Sequence, residues 1–226
     1  SIRSQNAMIF GLFDRQDRLE ISIPFTVDNA TWHITKQNNY MPYKAVLWRA
    51  ENIGVPKKDI TGWVYTNRIQ FYDLWKNVKG KRVFVSTENP DIQVQGFSAD
   101  KQFFVALNNL SDTPQKIELE IAALASSIKN IKVKSLTVYK DDFPRYYEDV
   151  ISKIPAVFAI DASETMVIEF NLKNTIPFKN QVKVNRFYSK NYLLPISANQ
   201  EITFEFNDIE LGVGLATLSM SLGREH

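Results

Sequence analysis

Asp28, Asn29, Trp32 and His33 place a carboxylate, an amide, an indole and an imidazole in one short polar stretch, Asp28-Asn29-Ala30-Thr31-Trp32-His33. An indole presents a flat face on which another ring stacks. A carboxylate accepts from hydroxyl groups, and an amide both accepts and donates. The stretch therefore suits a ligand that offers a ring and hydroxyls. Each residue also has a plainer use. Asp28 and Asn29 fit a turn or a helix cap. His33 fits a loop residue bonded to backbone. Trp32, like Trp48 and Trp63 further along, fits an aromatic anchor that tucks a loop down.

Other chemistries are limited by composition. The 226 residues include no cysteine, which removes thiol nucleophiles, disulfide frameworks and zinc–thiolate sites. His33 and His226 are the two histidines, too few for a multi-histidine metal centre. No metal or cofactor is expected. Basic and acidic residues number 27 and 25, a net charge of +2, which argues against nucleic acid or an anionic membrane as partner. The densest basic run, Lys79-Gly80-Lys81-Arg82, reads as a solvated turn. No apolar run approaches the roughly 20 residues of a membrane span. The first residues, SIRSQNAM, lack the apolar region of a signal peptide.

Strands and helices must position the polar stretch. Just before it, Leu19 to Phe25 (LEISIPF) is apolar and β-branched enough for a buried strand. Asn6 is a plausible N-cap for a helix carrying Ala7, Met8, Phe10, Leu12 and Phe13. Helix, polar turn and buried strand make the rhythm of a parallel sheet. After the loop, Ile69 to Val78 carries a helical stripe, with Gly80 placed as its C-cap. Between them, Lys44 to Arg49 suggests a short strand or hairpin arm. Three of the four tryptophans, Trp32, Trp48 and Trp63, fall in this connection.

After Gly80 the pattern is all-β. Strands are expected at Arg82–Ser86, Ile92–Ser98, Gln102–Leu107, Gln115–Ile121, Ile131–Tyr139 and Thr165–Phe170. Turn residues punctuate them at Asn89-Pro90-Asp91, Asp100-Lys101 and Ser111-Asp112-Thr113-Pro114. Asp141 to Asp149 interrupts as a polar, aromatic excursion. Gln181–Tyr188, Glu201–Phe206 and Leu215–Met220 alternate again, too few to close a second sandwich.

Three stretches carry a family resemblance: IPFTVDNATW, GWVYTNRIQFYDLWKNVKGKRVFV and DIQVQGFSADKQFFVALNNL. Together they resemble the C-terminal portion of glycoside hydrolase family 86, which holds β-agarases and β-porphyranases. The resemblance implies a mainly β chain: the C-terminal end of a (β/α)8 barrel over residues 1–80, an antiparallel β-sandwich over 81–178, and a partial second β-sandwich over 179–226. It implies retaining, endo-acting hydrolysis of β-1,4 galactosidic bonds in agarose or porphyran by two glutamates. Those lie in earlier barrel strands, and no position in this chain matches either one. The residues themselves agree: a retaining pair needs carboxyl groups about 5–5.5 Å apart. Glu20, Glu51, Glu118, Glu120, Glu201 and Glu205 read as solvated surface instead. The catalytic set in this chain is therefore expected to be empty. Trp32, Asp28, Asn29 and His33 are the expected substrate-binding residues, because the C-terminal ends of barrel strands carry the site. Arg49 and His33 are weaker candidates for a sulfate pocket. The implied partners are a galactan and the rest of the barrel, and the implied location is a bacterial secreted, cell-surface or periplasmic one. Two alternatives stand beside this reading. One is a non-catalytic β-sandwich module that binds polysaccharide or buttresses a barrel. The other is an unrelated α+β protein in which Leu19–Phe25 pairs within the chain.

Overall fold

From Ile92 onward, alternating side chains build one antiparallel sheet with both faces covered. The computed structural model describes residues 1–15, 19–138, 143–175, 185–210, 212 and 216–220. It divides into two units, Ser1–Gln181 and Val182–His226. In the first unit, helix α1 (Ile2–Phe13) is followed by a hairpin of β1 (Trp48–Ala50) and β2 (Trp63–Tyr65), then helix α2 (Ile69–Trp75). The strands β3 (Lys81–Val83), β4 (Ile92–Ala99), β5 (Gln102–Asn109) and β6 (Gln115–Ile117) come next. A short helix α3 (Ala122–Ala125) leads to β7 (Ile128–Thr137), β8 (Arg145–Ile151), β9 (Phe158–Ile160) and β10 (Glu164–Leu172).

The main sheet has the order β3-β4-β5-β10-β7-β8, and β6-β9 forms a separate two-stranded ribbon. Every pairing in both is antiparallel. The sheet face carrying Phe103, Val105, Leu107, Ile131, Ile168 and Phe170 packs with Phe158 and Ile160 of the ribbon. The opposite face, carrying Phe97, Phe104, Ala106, Leu136 and Val167, packs with Phe10 of α1 and with Phe71, Leu74 and Trp75 of α2. The sheet and ribbon are thus sandwich-like, with the second helix packed on the sheet's other face. β10, at the middle of the sheet, is covered on both sides and is buried at almost every position.

Polar side chains fasten the helices to the sheet. Trp75 Nε1 donates to the buried Asn6 Oδ1 at 3.0 Å. Gln95 Nε2 donates to the Phe10 carbonyl at 3.2 Å and to Asp14 Oδ1 at 3.1 Å. Arg82 pairs with Asp14 and donates to Gln95 Oε1 at 2.7 Å. Lys134 is 1% exposed and donates from Nζ to the Asp73 carbonyl at 3.3 Å, beside the end of α2. Burial holds its pKa below the usual lysine value, and Glu148 and Glu169 offset only part of that.

Several expectations change. The first helix begins at Ile2 with Ser1 as N-cap, its hydroxyl accepting from Ser4 N at 3.3 Å. Asn6 therefore caps nothing; it is the buried acceptor for Trp75. The second helix ends at Trp75, so Gly80 is no helix cap. Gly80 has φ +101° and passes within 2.2 Å, measured from an added Cβ, of the Ser98 carbonyl oxygen. It is glycine because the turn into β3 leaves no room for a side chain. Asp141 to Asp149 is not simply an excursion, since Arg145–Ile151 is edge strand β8. Tyr139 to Asp142 lie outside the described residues.

Leu19–Phe25 forms no strand. The segment has no regular secondary structure and joins no ladder, and Ile21 and Ile23 are 76% and 64% exposed. Its end makes a single parallel bridge, Thr26 with Val46. A strand is buried only where neighbours supply a ladder and a cover, and none of the described residues does so here. The barrel portion is accordingly not evident in this chain. Phe25 alone is buried, meeting Phe71 edge-to-face at 5.4 Å.

In the second unit, Glu201–Phe206 is assigned no strand. Lys190 N donates to the Glu205 carbonyl at 2.8 Å, and Asn191 Nδ2 to the Thr203 carbonyl at 3.0 Å. Parts of the expected strands Gln181–Tyr188 and Leu215–Met220 lie outside the described residues. Among the described residues, no helix is long and apolar enough to cross a membrane.

Candidate functional site

The connection from Thr26 to Arg68 is held by short-range bonds around one hairpin. Trp48 pairs with Tyr65, Arg49 with Val64 and Ala50 with Trp63. Alternation along each strand puts Trp48, Trp63 and Tyr65 on one face and Arg49 on the other. The Trp48 and Tyr65 rings overlap, with centroids 3.7 Å apart and planes 33° from parallel. Thr66 anchors the hairpin's exit: its hydroxyl donates to the Val46 carbonyl at 2.9 Å. Thr26 N donates to the Ala45 carbonyl at 3.1 Å, and Leu47 N to the Thr26 carbonyl at 2.9 Å. These bonds draw Val27, Asp28 and Asn29 alongside the hairpin.

The outcome is a groove of about 340 Å3 lined by Val27, Asp28, Asn29, Trp48 and Trp63. Its volume lies in the range of small-ligand clefts. Asp28 Oδ1 accepts from Ala30 N at 2.8 Å, closing an Asx turn. Ala30 is fully buried with φ 45°, a left-handed conformation that a non-glycine residue seldom adopts. That turn sends the chain into a single helical turn, Thr31–His33.

Trp32 and His33 belong to a second aromatic group. Trp32 is 62% exposed; its ring centroid is 5.6 Å from His33 and 5.3 Å from Tyr43. His33 and Tyr43 are 5.4 Å apart. His33 Nδ1 bonds the Met41 carbonyl at 3.1 Å, and the His33 carbonyl accepts from Asn38 Nδ2 at 2.8 Å. The four expected binding residues thus divide. Asp28 and Asn29 line the groove with Trp48 and Trp63, and Trp32 and His33 join Tyr43. The sequence offers Trp48 and Trp63, like Trp32, as stacking platform or loop anchor, and it singles out neither Tyr43 nor Tyr65. The alternation of aromatics across the hairpin was the available signal, but its short strands carry too little periodicity to reveal it.

Arg49 donates from Nη1 to the Ala50 carbonyl at 2.9 Å and the Glu51 carbonyl at 3.4 Å. A second, more apolar hollow lies between Met8, Ile9 and Leu12 of α1 and Phe71, Tyr72 and Trp75 of α2, under Ser22 and Pro24. Gln5 and Lys76 also line it, and the buried Gln5 Oε1 has no hydrogen-bond partner among the described residues. Among the described residues no three His, Cys, Asp or Glu side chains are grouped to hold a metal ion.

The buried carboxylates are tied to the sheet. Glu164 Oε2 accepts from Asp161 N at 2.5 Å, and burial raises its pKa, outweighing that bond. Glu169 Oε1 accepts from Gln102 Nε2 at 2.8 Å. Glu148, exposed on the edge strand β8, accepts from Tyr146 Oη at 2.5 Å and pairs with Lys132 at 2.9 Å, and both bonds hold its pKa down.

Residues 91–194 match the family described as porphyranase beta-sandwich domain 1. β-Porphyranase A of Phocaeicola plebeius is 40% identical over 224 residues, taking in 99% of this chain and 30% of that protein. Among solved structures, a β-porphyranase of glycoside hydrolase family 86 from the human gut bacterium Bacteroides plebeius superposes with a TM-score of 0.80 at 39% identity. That match covers 95% of this chain and 37% of the other. BuGH86 in complex with neoagarooctaose gives a TM-score of 0.73 at 28% identity, over 92% of this chain and 33% of the other. The chain thus spans about a third of the length of the proteins it matches.

Proposed function

The chain is homologous to the family 86 glycoside hydrolases over part of their length, and on that premise we propose that it is the C-terminal portion of an endo-acting enzyme that cleaves β-1,4 galactosidic bonds in a red-algal galactan. In this reading residues 1–80 complete a (β/α)8 barrel, 81–178 form its first β-sandwich and 179–226 begin a second. The catalytic glutamates belong to the rest of the parent protein, and hydrolysis is retaining. The parent works outside the bacterial cytoplasm, on polysaccharide.

The observation that carries the proposal is the groove of Asp28, Asn29, Trp48 and Trp63. It lies in the connection that follows the apolar segment ending at Phe25, where a barrel strand would deliver its functional loop. Indole rings and paired hydroxyl-binding groups are what a pyranose requires. Exposed Trp32, with His33 and Tyr43 beside it, extends the same kind of surface. The chain supplies a wall of the cleft, and the sandwich supports it through α2.

The test is hydrolysis by the full-length parent. Reducing-sugar release from agarose or porphyran, with the anomeric configuration of the first-formed product retained, is the expected result. Release from neither polysaccharide overturns the proposed activity, and inversion overturns the retaining mechanism.

A further inference from the structure

Building on that function, we infer that the groove is a subsite for one uncharged galactose unit, and that Asp28 excludes a sulfated unit from it. Two sets of side chains meet there. Trp48 and Trp63 share a face of the β1–β2 hairpin, and Tyr65 backs Trp48 with its ring. The backing fixes the indole in place, so a sugar stacking on the groove side orders little that is not already ordered. Across the groove stand Asp28 and Asn29. Asp28 is held by its Oδ1 bond to Ala30 N, and neither its Oδ2 nor the Asn29 side chain bonds any described residue. An acceptor held in place by that turn, and an amide beside it, are therefore available for hydroxyls.

Charge decides which sugar is admitted. Asp28 is the one charged residue among those described as lining the groove. A sulfate bound there would need cationic or N–H donors and would meet a carboxylate instead. Neither residue that could have formed a sulfate pocket with it is turned toward the groove. Arg49 stands on the opposite hairpin face and donates to the Ala50 and Glu51 carbonyls. His33 is bonded to the Met41 carbonyl. Rejection of a competing ligand by a like charge is a common route to specificity.

The experiment uses the full-length parent and two small probes, methyl β-D-galactoside and its 6-sulfate, titrated by ligand-observed NMR. Binding lost in Trp63→Ala or Trp48→Ala reports the groove and separates it from other subsites. In the unaltered protein that groove-dependent affinity should be roughly fivefold or more higher for the neutral sugar, the scale of one like-charge contact in water. Asp28→Asn keeps the Oδ1 acceptor for Ala30 N, so the turn survives, and it should close most of the gap. Equal groove-dependent affinity for the two sugars overturns the inference. So does neutral-sugar binding that both tryptophan variants leave unchanged, or a gap that persists in Asp28→Asn. Unfolding temperatures of the variants close to the parent's confirm that the losses are local. These titrations need no turnover, so they stand whether or not the parent hydrolyses a galactan.

Discussion

Trp32 is held at its edges by His33 and Tyr43, and most of its ring remains open to solvent. If that face meets substrate, Trp32→Ala in the full-length parent should lower kcat/KM roughly tenfold, the scale of one lost stacking platform. Kinetics on agarose and porphyran oligosaccharides check it, and an unchanged kcat/KM returns Trp32 to a packing role. Glu164 yields a pH-dependent outcome. Burial raises its pKa in the folded chain, so its contribution is favourable at low pH and is lost as pH rises through the folded value. At neutral pH the buried charge costs stability. Glu164→Gln, which still offers an oxygen to Asp161 N, should raise Tm at pH 7, with the gain shrinking below the ordinary Glu range, about 4.3. Paired thermal melts at the two pH values decide it. Residue types made part of this site legible: an acid, an amide and indoles in one connection pointed to a hydroxylated ring. Sequence could not divide them between groove and aromatic group, because that division depends on which hairpin face each Trp occupies. Asn6 shows the same limit. Its type suits a cap, but its bond to Trp75 joins residues far apart in the chain.

Strands with strong alternation were readable from sequence, because a sheet covered on both faces leaves a clear apolar record. Ile92–Ala99, Gln102–Asn109 and Glu164–Leu172 fall where expected, within a few residues at each end. β8 escaped notice because it is an edge strand: Arg145, Tyr147, Glu148, Asp149 and Val150 are exposed, and no apolar period survives. Leu19–Phe25 misled in the opposite sense. Its composition suits a buried strand, but composition cannot supply the neighbours that would bury it. At the turn into β3, Gly80→Ala should destabilise the chain by about 2 kcal/mol or more. A left-handed Cβ costs about 1–2 kcal/mol, and here it would also strike the Ser98 carbonyl. Chemical denaturation checks it; a loss below about 0.5 kcal/mol, the ordinary surface range, would mean that the turn re-forms around the methyl group.

The first unit is stabilised from both faces of one sheet, with Phe104 and Phe170 each at 0% exposure on opposite sides. Phe104→Ala should cost about 3–5 kcal/mol, measurable by denaturant unfolding. A substantially smaller loss would show that the helices relax into the cavity. Residues Ser1–His226 expressed alone should release no reducing sugar from agarose or porphyran, since no retaining pair is expected among their glutamates. Release that survives purification, and vanishes when a Glu of this chain is changed, would place the pair here after all. Phe13 contacts both Trp75 and Phe97, at 5.5 and 5.0 Å between ring centroids, so α1, α2 and the sheet meet in one aromatic cluster. A chimera spliced at Gly80 would take its helices from one ancestor and its sheet from another, and would divide that cluster. Phe13, Trp75 and Phe97 should accordingly drift in concert among relatives, as a single inherited unit spanning the junction between helices and sheet.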